Sequence, residues 1–594
     1  MELNRTFDLL ALYKQKWPEK EDALASRQKG VWRKYSIEEY ANTASYFSYA
    51  LLATGFQKGD KIATITNNRP EWNITDMGAS QAGVIHVPIY PTISDEEFNY
   101  ILSHSGVRML IVSDLGIYKK LKSICEKLPS IENIYTFNET DQAPGFGELI
   151  KLGREKETDF KERLEKVKES ILPDDTLSIT YTSGTTGKPK GVMLTHRNFL
   201  ENIWGCSQCF TLEPHYRVLS FLPLCHVFER MVNYFYHYAG VSIYYAESMG
   251  TIADNLKELK IDLFVTVPRL MERVYDKIIS KGKGLKGLKK QLFFWAVNLG
   301  LKYEVNTTNR WYLFRLKLAR RLIFRKWQEA LGGNLKFIIA GGASLQVRLA
   351  RIFWAAGIPV LEGYGLTETS PVVSVNFFER PGNVKFGTVG PVLPNVEAKI
   401  AEDGEILVRG DNVMKGYYKD PEQTAAVIDE KGWFHTGDIG VFEEGKFLKI
   451  TDRKKEMFKT SSGRYIAPQL IENKLKESLF IEQAMVVGEN EKFVSALISP
   501  HFEFLHNWCF LHNIHYRDNE ELLKIPEVTE RYQREINEIN KSLGQTEQIK
   551  RFRLVHEEWA PETGELSPTL KLRRHVIYEK HKEILDKIYG YKEK

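Results

Sequence analysis

Residues Tyr181 to Gly191 read YTSGTTGKPKG and follow the apolar run LSIT. Gly184, Gly187 and Gly191 let backbone N–H groups turn toward one anionic centre. The hydroxyls of Thr182, Ser183, Thr185 and Thr186 can donate to phosphate oxygens, and Lys188 and Lys190 add positive charge. Together they point to a grip on polyphosphate. A Walker loop would place Ser or Thr after its lysine, at the start of a helix. Here Pro189 follows Lys188, and proline disfavours helix for the residue before it. A flexible Gly, Ser and Thr linker is the plain alternative, and the apolar strand feeding the loop argues against it.

Such a loop needs elements to hold it. Short apolar runs recur at 61–66 (KIATIT), 84–90 (VIHVPIY), 108–113 (RMLIVS), 177–182 (LSITYT), 241–246 (VSIYYA), 263–268 (LFVTVP) and 336–341 (KFIIAG). Amphipathic stretches separate several of them, which predicts a layered α/β architecture with largely parallel sheet and ligands at the carboxyl ends of strands. Glycine turns fall at those ends. YTSG closes one run, AGGAS at Ala340 to Ser344 closes another, and EGYGLTE at Glu362 to Glu368 follows Val360 and Leu361. Three such turns can converge on one ligand. From about Gly404 the texture becomes β-rich, with EEGK at Glu443 to Lys446 as a hairpin turn, then a helix around Gln469 to Lys476 and strands at AMVVG and VSALISP.

The chain of 594 residues is too long for one core. Hydrophobic residues at 43% and charged residues at 27%, without a long uncharged apolar run, exclude an integral membrane protein. The start, MELNRTFDLLALYKQKW, carries Glu2 and lacks a small-residue cleavage site, so a cytoplasmic location is expected. Five cysteines fit a reducing compartment, and Cys206 with Cys209 reads as two small buried residues rather than a metal cage. A net charge of +5 is too mild to imply nucleic acid.

The loop resembles the signature of the adenylate-forming superfamily, which includes acyl-CoA synthetases, luciferases and nonribosomal peptide adenylation domains. Further motifs occur in the same order over nearly the whole chain. LPLCHVFER at Leu222 to Arg230 is similar to the segment that sets a residue, here His226, between the acyl carboxylate and the thiol tunnel. YGLTETS at Tyr364 to Ser370 matches the segment whose tyrosine stacks on adenine, whose threonine touches phosphate and whose glutamate helps hold magnesium. GWFHTGDIG carries Asp438, which accepts from the ribose hydroxyls in relatives, and DRKKE carries Arg453, which assists there. LSPTLKLRR at Leu566 to Arg574 resembles the terminal motif with the adenylating lysine, which makes Lys571 the candidate. Leu570 stands where many relatives have glycine, and Arg573 or Arg574 could share the task.

The resemblance implies a large multi-layered N-terminal α/β domain at 1–451 and a small mobile α+β C-terminal domain at 452–594, hinged at Asp452. It implies ATP, magnesium and coenzyme A as ligands. Lys571, Glu368, Thr186 and His226 take the catalytic roles, and Glu368 with Thr186 holds magnesium. Nucleotide and coenzyme A fall to Thr182, Ser183, Gly184, Thr185, Thr186, Gly187 and Lys188, to Gly341, Gly342 and Ala343, to Tyr364, Gly365 and Thr367, and to Asp438, Arg453 and Gly463.

The implied reaction is ATP-dependent activation of a carboxylic acid, followed by attack of a thiol. From Lys277 to Lys326 the only acid is Glu304, while basic residues interleave with FFW, WYLF and IFRKW. That composition suits peripheral contact with an anionic inner membrane surface, where a fatty acid would be found; ordinary surface helices fit it too. This segment also looks like an insertion of long-chain acyl-CoA synthetases. A ligase loading a carrier protein, a synthetase for another acid and a silent lipid-binding protein are the alternatives. Oligomeric state, homodimer included, is left open.

Overall fold

The computed structural model describes residues 3–182, 189–461, 463–561, 563–567 and 570–590. It is α/β, and the chain forms two compact units. The first comprises Met1–Lys399 with Leu407–His435, and the second Ile400–Ile406 with Thr436–Lys594. Asp452 lies inside the second unit, at the end of the strand Phe447–Arg453.

Among the described residues the first unit holds two large sheets. In one, the order is Gly416–Tyr417, Lys190–Thr195, Thr176–Thr182, Ile85–Ile89, Lys61–Ile65, Met109–Val112 and Asn133–Thr136. Its last five strands are parallel, and the hairpin Thr176–Thr182 with Lys190–Thr195 supplies an antiparallel edge. In the other, the order is Val372–Val375, Val360–Gly365, Phe337–Ala340, Leu263–Thr266, Arg217–Ser220, Ser242–Tyr245, Leu24–Gln28 and Val31–Tyr35. All seven apolar runs are strands, but they are shared between the two sheets. Their near-continuous apolar character follows from burial on both faces; Leu263–Thr266 and Met109–Val112 are buried at every position.

Helices between them start on recognisable caps. Ser36 Oγ accepts from Glu39 N at 3.0 Å, and Ser94 with Glu97 closes a reciprocal capping box before Asp95–Ser105, which ends on Gly106 at φ +66°. A buried charge network also ties the first unit together. Arg230, on the helix Val227–Ala239, pairs with Asp76 at 2.5 Å, and Asp76 accepts from His86 Nδ1 at 2.7 Å and from the Tyr234 hydroxyl at 2.5 Å. Burial pushes the Asp76 carboxyl upward, but Arg230 and these hydrogen bonds outweigh it and hold it at about 2.

The second unit carries the hairpin of Phe447–Arg453, with Glu444 and Gly445 at positive φ in its turn, as EEGK requires. Beyond it Ile481–Val487, Ser495–Pro500 and Arg551–Leu554 form a three-stranded sheet, mixed in direction. Phe480, Tyr532, Leu505 and Ile471 pack on one side of it, and Trp559, Leu566, Ile577 and Leu585 form a second cluster.

Candidate active site

The strand Thr176–Thr182 runs into the glycine and threonine loop and Lys190–Thr195 leads out of it, with Thr182 opposite Lys190 and Tyr181 opposite Gly191. Ser183, Gly184, Thr185, Thr186, Gly187 and Lys188 lie outside the described residues. The loop leads into a strand where a Walker loop would open a helix, in keeping with Pro189 at that position. Gly191 has a packing role: a Cβ there would stand 2.8 Å from Ile179 Cγ2.

The EGYGLTE segment meets this hairpin. Val360–Gly365 is a strand, so Tyr364 and Gly365 are its last residues rather than turn positions, with a bulge between them. Thr367–Thr369 then forms one turn of 3₁₀ helix that presents Glu368, half-buried. Glu368 Oε1 accepts from the Tyr417 hydroxyl at 2.9 Å, and its backbone carbonyl accepts from Met414 N at 2.8 Å. Tyr417 pairs with Val192 in the hairpin, and the Lys190 ammonium lies 5.0 Å from its ring centroid. Burial, with Glu368 beside it, pushes the Tyr417 phenol up, so it stays a donor. Glu368 therefore stands at the base of the loop. Tyr417 was not legible as a site residue, since GYY carries no pattern that points to Glu368.

Gly365 is there because the backbone passes too closely for a side chain. A Cβ would lie 1.8 Å from the Pro371 carbonyl oxygen. That oxygen accepts from Leu366 N at 3.2 Å and from Thr369 Oγ1 at 2.6 Å, which fixes the turn carrying Thr367 and Glu368.

The third turn adjoins the second. Phe337–Ala340 pairs with Val360–Gly365, Ala340 opposite Glu362, and Gly341, Gly342 and Ala343 come next in the chain. Gly341 N donates to Thr266 O at 3.0 Å, and Gly342 has φ +80°, a conformation that glycine adopts freely. A Cβ on Gly341 would meet the Phe228 ring at 3.3 Å and Gly363 O at 3.7 Å. Phe228 lies in the first turn of the helix that His226 caps. His226 Nδ1 accepts from Phe228 N at 3.2 Å, so the neutral ring carries its proton on Nε2. Glu362 is a further residue that sequence reasoning passed over. Its Oε1 accepts from Leu345 N at 2.9 Å, and burial raises its carboxyl to about 8, so it is largely protonated at neutral pH and clamps the turn after Ala343.

The second unit carries the remaining candidates. Asp438, buried, faces Arg453 across the hairpin, with Arg453 Nε 3.2 Å from Asp438 Oδ1. The guanidinium compensates the desolvation of that carboxylate. Asp452 is buried too; burial raises its carboxyl to about 7, against hydrogen bonds from Arg453 N at 2.6 Å and Gln469 N at 3.3 Å. Gly463 takes φ +76° in the turn between Phe458–Lys459 and Tyr465–Ile466.

Leu570 and Leu572 pack on the second hydrophobic cluster, while Lys571 between them is exposed. Leu570 has φ +61°, a left-handed conformation natural to glycine. Arg574 is held by Glu456 at 3.1 Å and Glu472 at 2.5 Å. Cys206 and Cys209 are buried thiols raised by that burial, Cys209 to about 12, as inert packing residues are.

The chain matches the family model for AMP-binding enzymes over residues 13–418 and that for the AMP-binding enzyme C-terminal domain over 456–593, and it belongs to this family. It is 31% identical over 574 residues to a long-chain-fatty-acid–CoA ligase of Mycobacterium bovis, spanning 94% of this chain and 93% of that protein. It is 32% identical over 603 residues to the peroxisomal long chain acyl-CoA synthetase 7 of Arabidopsis thaliana, spanning 95% and 83%. Its fold is similar to the adenylation domain of a carboxylate reductase from Mycobacterium chelonae, with a TM-score of 0.75 at 20% identity, over 99% of this chain and 91% of that one.

Proposed function

We infer that this chain is an ATP-dependent ligase that joins a long-chain fatty acid to coenzyme A through an acyl adenylate. The observation that carries the reading is the identity, over 94% of the chain, to a long-chain-fatty-acid–CoA ligase. A carboxylate repels nucleophiles and has no good leaving group, so activation comes first. A carboxylate oxygen bonds to the α-phosphorus of ATP while the bond to the bridging oxygen breaks, and pyrophosphate leaves with the electron pair. The coenzyme A sulfur then bonds to the acyl carbon, its proton goes to solvent, and AMP departs.

The residue roles form part of the proposal. The hairpin loop, with Thr182 at its base and Thr186 within it, grips the phosphates. Tyr364 and the turn Gly341, Gly342 and Ala343 flank the nucleotide. Glu368 and Thr186 would hold magnesium: oxygen donors and few of them suit this hard cation, and the Tyr417 hydroxyl fixes the Glu368 carboxylate. Bound there, magnesium would neutralise phosphate charge. The Nε2–H of His226 can donate to the acyl carboxylate. Asp438 accepts from the ribose diol with Arg453 beside it, and Lys571 offsets charge developing at the α-phosphate. Rotation about Asp452 would exchange Lys571 for the face that carries Gly463 at the thiol channel.

The test is an acid panel with two acceptors, coenzyme A and a pantetheinylated carrier protein. Thioester formation from long acyl chains and coenzyme A is expected. Transfer to the carrier protein alone would overturn the acceptor, and adenylation of short or aromatic acids alone would overturn the substrate class.

A further inference from the structure

The segment Arg310–Ala319, continued by a π turn at Arg320–Phe324 and by Arg325–Ala330, has two apolar faces. The inner one is accounted for. Leu316, Ala319, Phe324 and Trp327 are buried, the Trp327 ring lies 6.2 Å from Phe353, and Arg320 donates to Ala355 O at 2.8 Å and to Trp354 O at 3.1 Å. This packing fixes which face points outward. There Trp311, Phe314, Leu318 and Leu322 succeed one another at spacings of three, four and four residues, which is one helical stripe. They are 67%, 60%, 43% and 44% exposed, and the Trp311 and Phe314 rings stack at 5.7 Å. An apolar helix face of this kind is normally covered.

Charge indicates by what. Arg310, Lys317, Arg321 and Arg325 recur at spacings of seven, four and four residues, a second exposed row beside the stripe. Arg325 also pairs with Glu329 at 2.9 Å. Between Glu304 and Glu329 the sequence has no acid. A second copy of the chain would set this basic row against itself. A surface with an apolar interior and anionic headgroups satisfies both rows at once, and no helix among the described residues is long and apolar enough to cross a membrane instead.

We propose that the outer face of residues 310–326 is a docking surface that lies on anionic bilayers, with Trp311, Phe314, Leu318 and Leu322 in the headgroup and acyl boundary and the basic row on the lipid phosphates. The proposal goes beyond the ligase reading and does not rest on it, because its test reads binding rather than turnover.

The full chain is sedimented with vesicles of phosphatidylcholine alone and of phosphatidylcholine with phosphatidylglycerol. Preferential binding to the anionic vesicles is expected, abolished in about 1 M salt, where charges are screened beyond about 3 Å. Neutralising Lys317→Gln with Arg321→Gln should weaken partition by roughly 25-fold, since each basic residue at an anionic surface contributes about 5-fold. Trp311→Ser with Phe314→Ser should weaken it as well. These side chains are exposed and stand apart from the site, so the melting temperature and adenylation of a water-soluble acid should not change. Equal binding to both vesicle types, or variants that bind as the parent does, overturns the proposal. So does a dimer in sedimentation velocity that the Trp311 variant dissociates while vesicles capture nothing, which would make this face a contact between copies.

Discussion

Gly365→Ala adds one methyl group at the most constrained point of the candidate site. The new Cβ would lie 1.8 Å from Pro371 O, 2.5 Å from Pro371 C and 3.1 Å from Val372 Cα. All three are backbone atoms, so no side chain can swing aside, and the two strands must separate by more than an ångström. The oxygen struck is the one that accepts from Leu366 N and Thr369 Oγ1, so both hydrogen bonds are lost or stretched. Two such bonds contribute about 1–3 kcal/mol, and overpacking adds about 1–3 kcal/mol, giving a destabilisation of about 2–6 kcal/mol. The shift is carried directly to Thr367 and Glu368. A displacement of about 1 Å in a positioning element lowers rate by roughly 10². Acid-dependent exchange of pyrophosphate into ATP measures the adenylation step alone, and circular dichroism with a thermal melt shows that the protein remains folded at the assay temperature. Gly342→Ala is the comparison: its nearest neighbour, Val267 Cγ1, would be 3.9 Å away, so only the positive φ opposes it, at roughly 1–2 kcal/mol. Exchange by folded Gly365→Ala at the parental rate would show that this close approach does not position Glu368.

Lys571→Ala should lower adenylation by roughly 10² to 10³, as loss of one preorganised charge donor does; thioester formation from supplied acyl adenylate should persist, and equal loss of both half-reactions would contradict the assignment. Leu570→Gly should melt near the parent, because relief of the left-handed strain offsets the lost packing, whereas Leu572→Gly should cost about 2 kcal/mol. Asp76→Ala leaves Arg230 as an uncompensated buried charge and should destabilise the first unit by about 3–5 kcal/mol in denaturant titration. Asp452 has a folded-state carboxyl raised to about 7, so the folded chain holds a proton that the unfolded chain releases near pH 4, and stability is lost as pH rises through that window. Asp452→Asn should remove this loss, its advantage in melting temperature growing from about pH 4 and levelling off above about pH 7; a pH-independent difference would show that burial does not set that carboxyl.

The strands were legible because a parallel sheet covered on both faces leaves an uninterrupted apolar run, as in LFVT at 263–266. Their division between two sheets was not, since periodicity says which face is buried but not which strand lies alongside. The entry of residues 400–406 into the second unit ahead of Thr436 likewise has no local signal. Within the site, motif residues could be named from sequence, but the groups that hold them come from distant segments. Tyr417 reaches Glu368 from 49 positions away, and Glu362, an acid inside an apolar strand, looked like part of a turn. Leu570, where many relatives of the resembling family have glycine, obscured the register around Lys571 in the sequence; its positive φ is a conformation natural to glycine.

On this mechanism an acid is activated as an adenylate before any thiol is involved. Exchange of labelled pyrophosphate into ATP by the purified chain, with magnesium and a long-chain fatty acid but without coenzyme A, tests it most directly. Exchange that requires the acid and proceeds without coenzyme A is expected. Exchange that appears only when coenzyme A is added, or none while AMP and thioester still form, would contradict it.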